Sequence, residues 1–230
     1  MEGRAEKPHY HGHRARLRRR FLAGGADALA DYELLELLLF QALPRGDAKP
    51  LAKRLLAHFD DDFAEVIGAP ADRLRAVEGV GEAVVAALKT AEAVALRLMR
   101  ERMRARDVVS SWRDLLAYCR ARIAGAAREQ FHILFLDTRN QIIADEQQQT
   151  GTVDHAPVYP REVIKRALEL SASAIILVHN HPSGDPTPSA ADIDITRKIA
   201  QAGRELGVAV HDHLVIARGG HTSFRAEGLL

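Results

Sequence analysis

Residues 174–192 read AIILVHNHPSGDPTPSAAD, and this stretch decides the fold class that we predict. Its first five residues, Ala174 to Val178, form a short and wholly apolar run, which is typical of a strand buried on both faces. A loop rich in proline and glycine follows, and Ser189 then opens a predicted helix that extends to about Leu206. A further strand is predicted from Val208 to Ala217. The order strand, helix, strand favours an α/β layer arrangement.

The segments before this stretch extend the same pattern. Phe131 to Leu136 is predicted to be a strand, and Gln141 to Ala144 its partner across a turn. Pro160 to Leu170 is predicted to be a helix, because proline is well tolerated at the first helical position. Residues 107–230 are therefore predicted to form one α/β domain.

The first part of the chain is predicted to be helical and to form a separate domain, residues 1–106. Leu74 to Leu88 fits a helix-hairpin-helix-like motif, with Gly79-Val80-Gly81 as its turn. Four further helical segments are predicted: Leu29 to Ala42, Lys49 to Phe59, Asp60 to Ile67 and Ala83 to Arg106. The charge also changes at Arg106, since residues 1–106 hold 19 basic and 16 acidic residues and the remainder holds 13 and 15.

Composition excludes several classes of protein. The 230 residues are 47% hydrophobic and 27% charged, which excludes disordered and fibrous chains. No stretch approaches the roughly 18 to 20 apolar residues of a membrane span, and no apolar segment near Met1 indicates a signal peptide. We therefore expect a cytoplasmic protein without membrane contact. A single cysteine, Cys119, excludes a disulfide framework and a zinc site built on cysteine.

Three side chains around the loop after the buried strand predict a metal site. His179 and His181 are two residues apart, so in extended backbone both side chains leave the same face. Asp192 lies one turn into the next helix, from which its carboxylate can point back. Two imidazoles and one carboxylate leave the fourth tetrahedral position of a zinc ion open for water, as in catalytic sites. Ser189 and Asp192 also fit a helix capping box, which needs no metal.

This stretch resembles the JAMM (MPN) metalloprotease motif, which consists of His-x-His, seven residues, Ser, two residues and Asp. His179, His181, Ser189 and Asp192 match it with the spacing intact, while Asn180 stands where Ser or Thr is usual. The whole chain resembles the bacterial RadC family (UPF0758-type), on the segments HNHPSGDPTPSAADIDIT, GTVDHAPVYPREV and DALADYELLELLLFQALPRGD. The resemblance implies a cytidine-deaminase-like JAMM/MPN domain of the α/β class, preceded by a small all-α domain.

The same resemblance implies two catalytic residues. A glutamate at the entry to the first strand would be the general base, and Glu129 matches that position, with Glu146 and Glu162 as rival candidates. Ser189 would donate a hydrogen bond to the oxyanion. The resemblance further implies one zinc ion per chain and hydrolysis of a peptide or isopeptide bond in a protein or peptide substrate.

Other histidines suggest weaker hypotheses. Asp212, between His211 and His213, could accept a hydrogen bond from a ligand imidazole, or the three could lie on an exposed face of the last strand. We do not expect His211 or His213 to bind the metal. His155 and Tyr159 lie in a loop that could border the active cleft, and the N-terminal histidines are expected to be solvated: His9, His11 and His13.

Two alternative functions remain open. The amides of the Gly79-Val80-Gly81 turn could bind a DNA phosphate, and the arginines between Arg14 and Arg20 could extend that surface. Against this, Glu78 and Glu82 flank the turn, so any DNA binding is expected to be weak. The chain could instead be a non-catalytic interaction module with a structural metal site. The sequence carries no signal for an oligomeric state.

Overall fold

The computed structural model describes residues 12–104, 107–108, 110–150 and 158–230. Its internal contacts divide the chain into two compact units, Met1–Ala93 and Val94–Leu230. This division falls within a long helix and precedes Arg106, the end of the predicted helical domain. The boundary lies before Arg106 because Met103, near the end of this helix, is buried in the core of the second unit.

The first unit is helical, and most of its predicted helices are present. Leu35, Leu39 and Leu55 are fully buried in its single apolar core. A short 3₁₀ turn, Ala26–Ala28, separates the first two helices. The helices are α1 (His13–Gly24), α2 (Asp31–Ala42), α3 (Lys49–His58), α4 (Phe63–Gly68), α5 (Ala71–Arg75) and α6 (Glu82–Arg104), of which α6 continues into the second unit.

Local sequence explains where these helices begin and end. The side chain of Asp62 accepts hydrogen bonds from the backbone amides of Ala64 and Glu65 and so caps α4. The helix α2 ends at Ala42 because Pro44 pushes the residue before it out of helical geometry. Both boundaries fix short connections, which keep the helices packed around one core.

The second unit is an α/β domain, as predicted. Its sheet has the order β2-β1-β3-β4-β5, with β3 and β4 parallel and all other neighbours antiparallel. Its elements are α7 (Trp112–Ile123), β1 (Gln130–Leu136), β2 (Ile142–Thr150), α8 (Pro160–Glu169), β3 (Ala174–Asn180), α9 (Ala190–Glu205), β4 (Ala209–Ala217) and β5 (Gly220–Ser223).

Two apolar cores lie on opposite faces of this sheet. On one face, Leu134, Ile176 and Leu214 pack with residues of α7. On the other face, Ile133, Ile175 and Leu177 pack with residues of α8 and α9. All seven residues of β3 are buried, which confirms that the apolar run from Ala174 is an inner strand. The predicted fold class is therefore confirmed.

Gly203 allows α9 to approach the sheet closely. A Cβ atom at this position would lie 2.4 Å from the backbone oxygen of Val208, just before β4. Only glycine can bring the helix and the start of the next strand this close without displacing backbone. The close approach matters because α9 and β4 both contribute to the site described below.

In the part of the chain that the structure describes, we find no helix with both the length and the apolar character that crossing a membrane requires.

Candidate metal centre

Two histidines converge at the C-terminal end of β3. His179 is the second-last residue of the strand and is fully buried, and His181 follows the strand directly. Their Nε2 atoms are 3.0 Å apart. His181 is oriented from its other nitrogen, since Nδ1 donates to the backbone oxygen of Asp185 at 2.9 Å, which leaves Nε2 directed towards His179.

Asp192 completes a group of three. Its Oδ1 lies 3.4 Å from Nε2 of His179 and its Oδ2 lies 3.5 Å from Nε2 of His181. Among the described residues, these three are the one group of His, Cys, Asp or Glu side chains that could hold a metal ion. The separations fit such an ion, because ligands about 2.0 to 2.1 Å from a tetrahedral zinc lie about 3.3 Å from one another.

The predicted capping box of α9 is also present. Ser189 donates to Oδ2 of Asp192 through both its backbone amide and its hydroxyl, each at 2.7 Å, and its hydroxyl accepts from the amide of Asp192. The cap and the metal group are therefore not alternatives. The cap fixes the first turn of α9 in the conformation that points the Asp192 carboxylate at the two imidazoles.

The charges of the group suit a cation. Partial burial acts to raise the pKa of the Asp192 carboxyl, but the two imidazoles beside it and the hydrogen bonds from Ser189 hold it far below its usual range. Hydrogen bonding to Asp192 is the main cause that raises the pKa of His181, and the charge of Glu129 raises it further. Asp192 is therefore an anion at neutral pH, and Glu129 is close enough to act on His181 electrostatically.

A chain of buried hydrogen bonds sets the tautomer of His179. The Thr196 hydroxyl donates to the backbone oxygen of Asp192 at 2.5 Å, so its oxygen accepts from Nδ1 of His213 at 2.6 Å. Burial holds the pKa of His213 well below its ordinary value, so this imidazole is neutral and its Nε2 is an acceptor. Nδ1 of His179, 2.7 Å away, must therefore donate to it. Nε2 of His179 is left with a lone pair for a metal ion.

Aromatic rings enclose this chain. Phe131 stacks on His179 with an interplanar angle of 9°, and Phe224 stacks on His213 with ring centroids 4.6 Å apart. Both phenylalanines are buried. They exclude water from the hydrogen bonds between the imidazoles, which strengthens those bonds.

Sequence comparison now identifies the chain. Residues 109–229, more than half of the chain, match the family described as RadC-like JAB domain. The chain belongs to the RadC family. Residues 11–86 match the family described as UPF0758 N-terminal. A relative from Rhodobacter capsulatus, named UPF0758 protein, is 63% identical over 214 residues, which are 93% of this chain and 100% of that protein.

The family assignment agrees with the folded domain. This RadC-family chain has a mixed sheet with helices on both faces and a JAB/MPN domain, preceded by a helical region. The name of the relative describes no reaction.

The structure separates the three carboxylates predicted as candidate bases. In this RadC-family chain, Glu129 is half-buried directly before β1, two residues ahead of Phe131, which pairs with His179, and its charge acts on His181. Glu146 lies on β2, where its carboxylate pairs with Arg166 at 2.6 Å. Glu162, in the first turn of α8, pairs with Arg161 at 3.1 Å. Both rivals thus have cationic partners outside the metal group.

The hypothesis about Asp212 was wrong. Asp212 does not contact a ligand imidazole, since its carboxylate accepts from the amides of His213 and Arg225 and from the Ser223 hydroxyl. The exposed-face alternative was also wrong, because Asp212 and His213 are buried. The residue that touches a ligand is His213. The sequence shows His213 two residues from His211. It gives no sign of the contact between His213 and His179, because the two lie 34 residues apart.

The remaining histidine hypotheses have mixed outcomes. His9, His11 and His155 lie outside the described residues. His13 is not simply solvated, because its Nε2 lies 2.6 Å from Oε2 of the buried Glu36. Tyr159 is exposed and precedes α8, with the guanidinium of Arg161 over its ring.

Several cations of the helical unit have partners within the chain. Arg14 donates to the backbone oxygens of Leu43, Pro44 and Gly46, and Arg20 pairs with Glu33. The predicted motif at 74–88 contains the last two residues of α5, a turn with Gly79 at φ 89°, and the start of α6. Arg54, which the sequence did not suggest, reaches this turn and donates to the backbone oxygen of Glu78.

Proposed function

We propose that this chain is a zinc-dependent hydrolase of the JAMM type, which cleaves a peptide or isopeptide bond in a protein or peptide substrate. The observation that supports it is the convergence of His179, His181 and Asp192 on one point, with Glu129 beside them. Three protein ligands are the number found in catalytic zinc sites. Zinc bound there supplies Lewis-acid activation of a water molecule and of the scissile carbonyl.

The residues of the chain have separate roles in this proposal. His179, His181 and Asp192 hold one zinc ion per chain. Glu129 takes a proton from the attacking water and passes it to the leaving amine, the role of a general base that then acts as a general acid. Glu129 is half-buried, which leaves its side chain open to a substrate.

Ser189 has two roles in the proposal. In the structure its hydroxyl donates to Asp192, which orients the third ligand. We propose that this hydroxyl turns to donate to the developing oxyanion when substrate is bound, while the backbone amide of Ser189 keeps Asp192 in place.

Metal analysis combined with substrate profiling tests the proposal. We expect purified protein to contain about one zinc per chain, and His179→Ala to lose both the zinc and turnover of a peptide and isopeptide library. Glu129→Gln should retain zinc but slow turnover by about 10²- to 10⁴-fold. Glu162→Gln is the matched control, which should keep both. A wild-type chain that binds no zinc at neutral pH would contradict the proposal.

A second candidate function is DNA binding by the helical unit. The supporting observation is the guanidinium of Arg54 at the glycine turn before α6, which adds a cation where a phosphate would meet backbone amides. Arg54→Ala should weaken salt-dependent binding to duplex DNA, measured by fluorescence anisotropy, while His179→Ala should not. An absence of binding at low salt would exclude this candidate.

A further inference from the structure

Asn180 is a buried polar residue between two ligands of the candidate metal centre. Side chains alternate along β3, so His179 faces α8 and α9 while Asn180 faces the opposite side of the sheet. Its side chain is fully buried. Because an unpaired amide in such a place is unfavourable, the partners of Asn180 indicate its role.

Those partners are backbone groups of the segment that carries Glu129. Oδ1 of Asn180 accepts from the amide of Gln130 at 2.8 Å. Nδ2 donates to the backbone oxygens of Arg128 at 3.2 Å and Ala126 at 3.4 Å. Both ends of the side-chain amide are thereby satisfied, and its orientation is fixed by the chemistry of its partners.

These hydrogen bonds fall on both sides of Glu129. The oxygen of Arg128 belongs to the peptide group before Glu129, and the amide of Gln130 belongs to the peptide group after it. Two held peptide planes leave the backbone dihedrals of Glu129 little freedom, and so fix the direction in which its side chain leaves the backbone. The restraint is needed because residues 124–129 lie between the end of α7 and the start of β1, outside any helix or strand.

We infer that Asn180 is a positioning residue that fixes the backbone of Glu129 next to the end of β3 where His179 and His181 lie. The inference rests on the proposed function for the role of Glu129, but the hydrogen bonds that carry it do not depend on that function. It also gives a reason for the departure from the JAMM motif. A Ser or Thr side chain is one bond shorter and presents a single polar atom in place of two, so it cannot reach both peptide groups.

Amide hydrogen exchange and zinc affinity test the inference without any substrate. In Asn180→Ser, we expect the Gln130 amide to exchange about 10-fold faster, because it loses its acceptor. Zinc affinity, from competition with a chromophoric chelator, should stay within about 2-fold of wild type, because no ligand contact changes.

Ser173→Ala is the matched control. Ser173 precedes β3 and donates to the backbone oxygen of Leu136 at 3.3 Å, at the opposite end of the same pair of strands. Loss of this hydroxyl should leave the amide hydrogen exchange of residues 128–130 unchanged. Unchanged exchange at Gln130 in Asn180→Ser, or a fall in zinc affinity as large as that of a ligand variant, would overturn the inference.

A double-mutant cycle then tests whether Asn180 acts through Glu129. With a peptide that the wild type cleaves, Asn180→Ser should lower kcat by about 10- to 100-fold and should have no further effect in a Glu129→Gln background. Equal effects in both backgrounds would overturn the inference. If the wild type cleaves no peptide, the proposed function fails, and the exchange and affinity measurements still decide whether Asn180 holds the segment.

Discussion

The Thr196 hydroxyl lies outside the candidate metal group, yet it sets which nitrogen of His179 is free to bind. It fixes the tautomer of His213, which in turn fixes that of His179. The hydroxyl can act in this way only because the backbone oxygen of Asp192 has no proton to give. The donor-to-acceptor direction of every hydrogen bond in this series therefore follows from one acceptor, the backbone oxygen of Asp192.

Thr196→Val should weaken zinc binding by about 10- to 100-fold, because it removes the group that orients His213. Thr196→Ser keeps the hydroxyl and should bind zinc nearly as well as the wild type. Competition with a chromophoric chelator measures both affinities, and nitrogen-15 shifts of the imidazoles report the tautomers. Equal affinities of the valine and serine variants would show that the hydroxyl does not control the ligand.

A second buried group has a consequence for stability. Asp145 on β2 accepts a hydrogen bond from Tyr118 and pairs with Arg122 at 3.2 Å, both from α7. Burial acts to raise the pKa of this carboxyl, but His132, Tyr118 and Arg122 together lower it below its ordinary value. Its stabilising contribution is therefore present above the pKa of the unfolded chain and is lost as the pH falls through the lower folded value.

Asp145→Asn should lower the free energy of unfolding by about 2 kcal/mol at pH 7, because the half-buried Arg122 loses its charged partner and Tyr118 loses a charged acceptor. The difference from wild type should narrow as the pH falls below about 4, because the carboxyl of the unfolded chain is then protonated, and it should vanish only below the lower pKa of the folded state. Urea denaturation at a series of pH values measures this. The control is Glu146→Gln, which changes a more exposed carboxylate that pairs with Arg166. It should lower the free energy of unfolding by less than about 1 kcal/mol. A difference for Asp145→Asn that does not change with pH would contradict the assignment.

At the scale of elements, the position of α9 against the sheet determines whether the candidate metal group can form. This helix carries Asp192 and Thr196. The hydrogen-bond partner of Thr196 is His213, which lies on β4. Gly203 sets the distance between the helix and the residue before that strand. The position is thus a structural requirement of the metal group, although it lies three turns away from Asp192.

Gly203→Ala should lower the free energy of unfolding by about 1 to 3 kcal/mol, because the added methyl group would overlap the backbone oxygen of Val208. Gly68→Ala, at the end of α4 with open space around it, is the control and should change stability little. Thermal and urea denaturation measure both. Equal stability of Gly203→Ala and the wild type would mean that α9 can shift without loss.

The same elements show what the sequence could predict. His179, His181 and Asp192 are joined by local spacing along one strand, loop and helix, so their convergence was predictable. The partners of Asn180 were not, because they depend on the pairing of β1 with β3 across 50 residues. The extent of β2 was underestimated, since an edge strand with residues such as Gln147 and Gln148 lacks the apolar pattern of an inner strand.

Helix α7 was missed for a different reason. Leu115, Tyr118, Cys119 and Ile123 are buried at helical spacing, so the signal was present in the sequence. Flanking arginines and acidic residues hid it within a stretch that resembles a linker. The Asp145 cluster could not be predicted either, because two of its partners, Tyr118 and Arg122, lie on this helix.

At the scale of the whole molecule, the second unit has two apolar cores that do not involve the metal group. Zinc should therefore add stability to a domain that already folds without it. Removal of zinc with a chelator should leave the near-ultraviolet circular dichroism of a folded protein at 25 °C and lower the melting temperature.

The size of that effect follows from mass action, which gives about 4 kcal/mol when free zinc is 1,000 times its dissociation constant. His179→Ala is the control, because its melting temperature should not respond to zinc. Unfolding of the wild type at 25 °C on chelation would instead support a structural metal, as in a non-catalytic interaction module.

The hydrogen bonds from His179 through His213 and Thr196 return to the backbone of Asp192, whose carboxylate faces His179 again. With the 3.4 Å contact between that carboxylate and Nε2 of His179, these hydrogen bonds close a ring across β3, β4 and α9. These contacts form when the domain folds, so the three ligands are already in position before a metal ion binds. Zinc uptake should accordingly be a single fast bimolecular step, whose rate rises in proportion to zinc concentration without reaching a plateau.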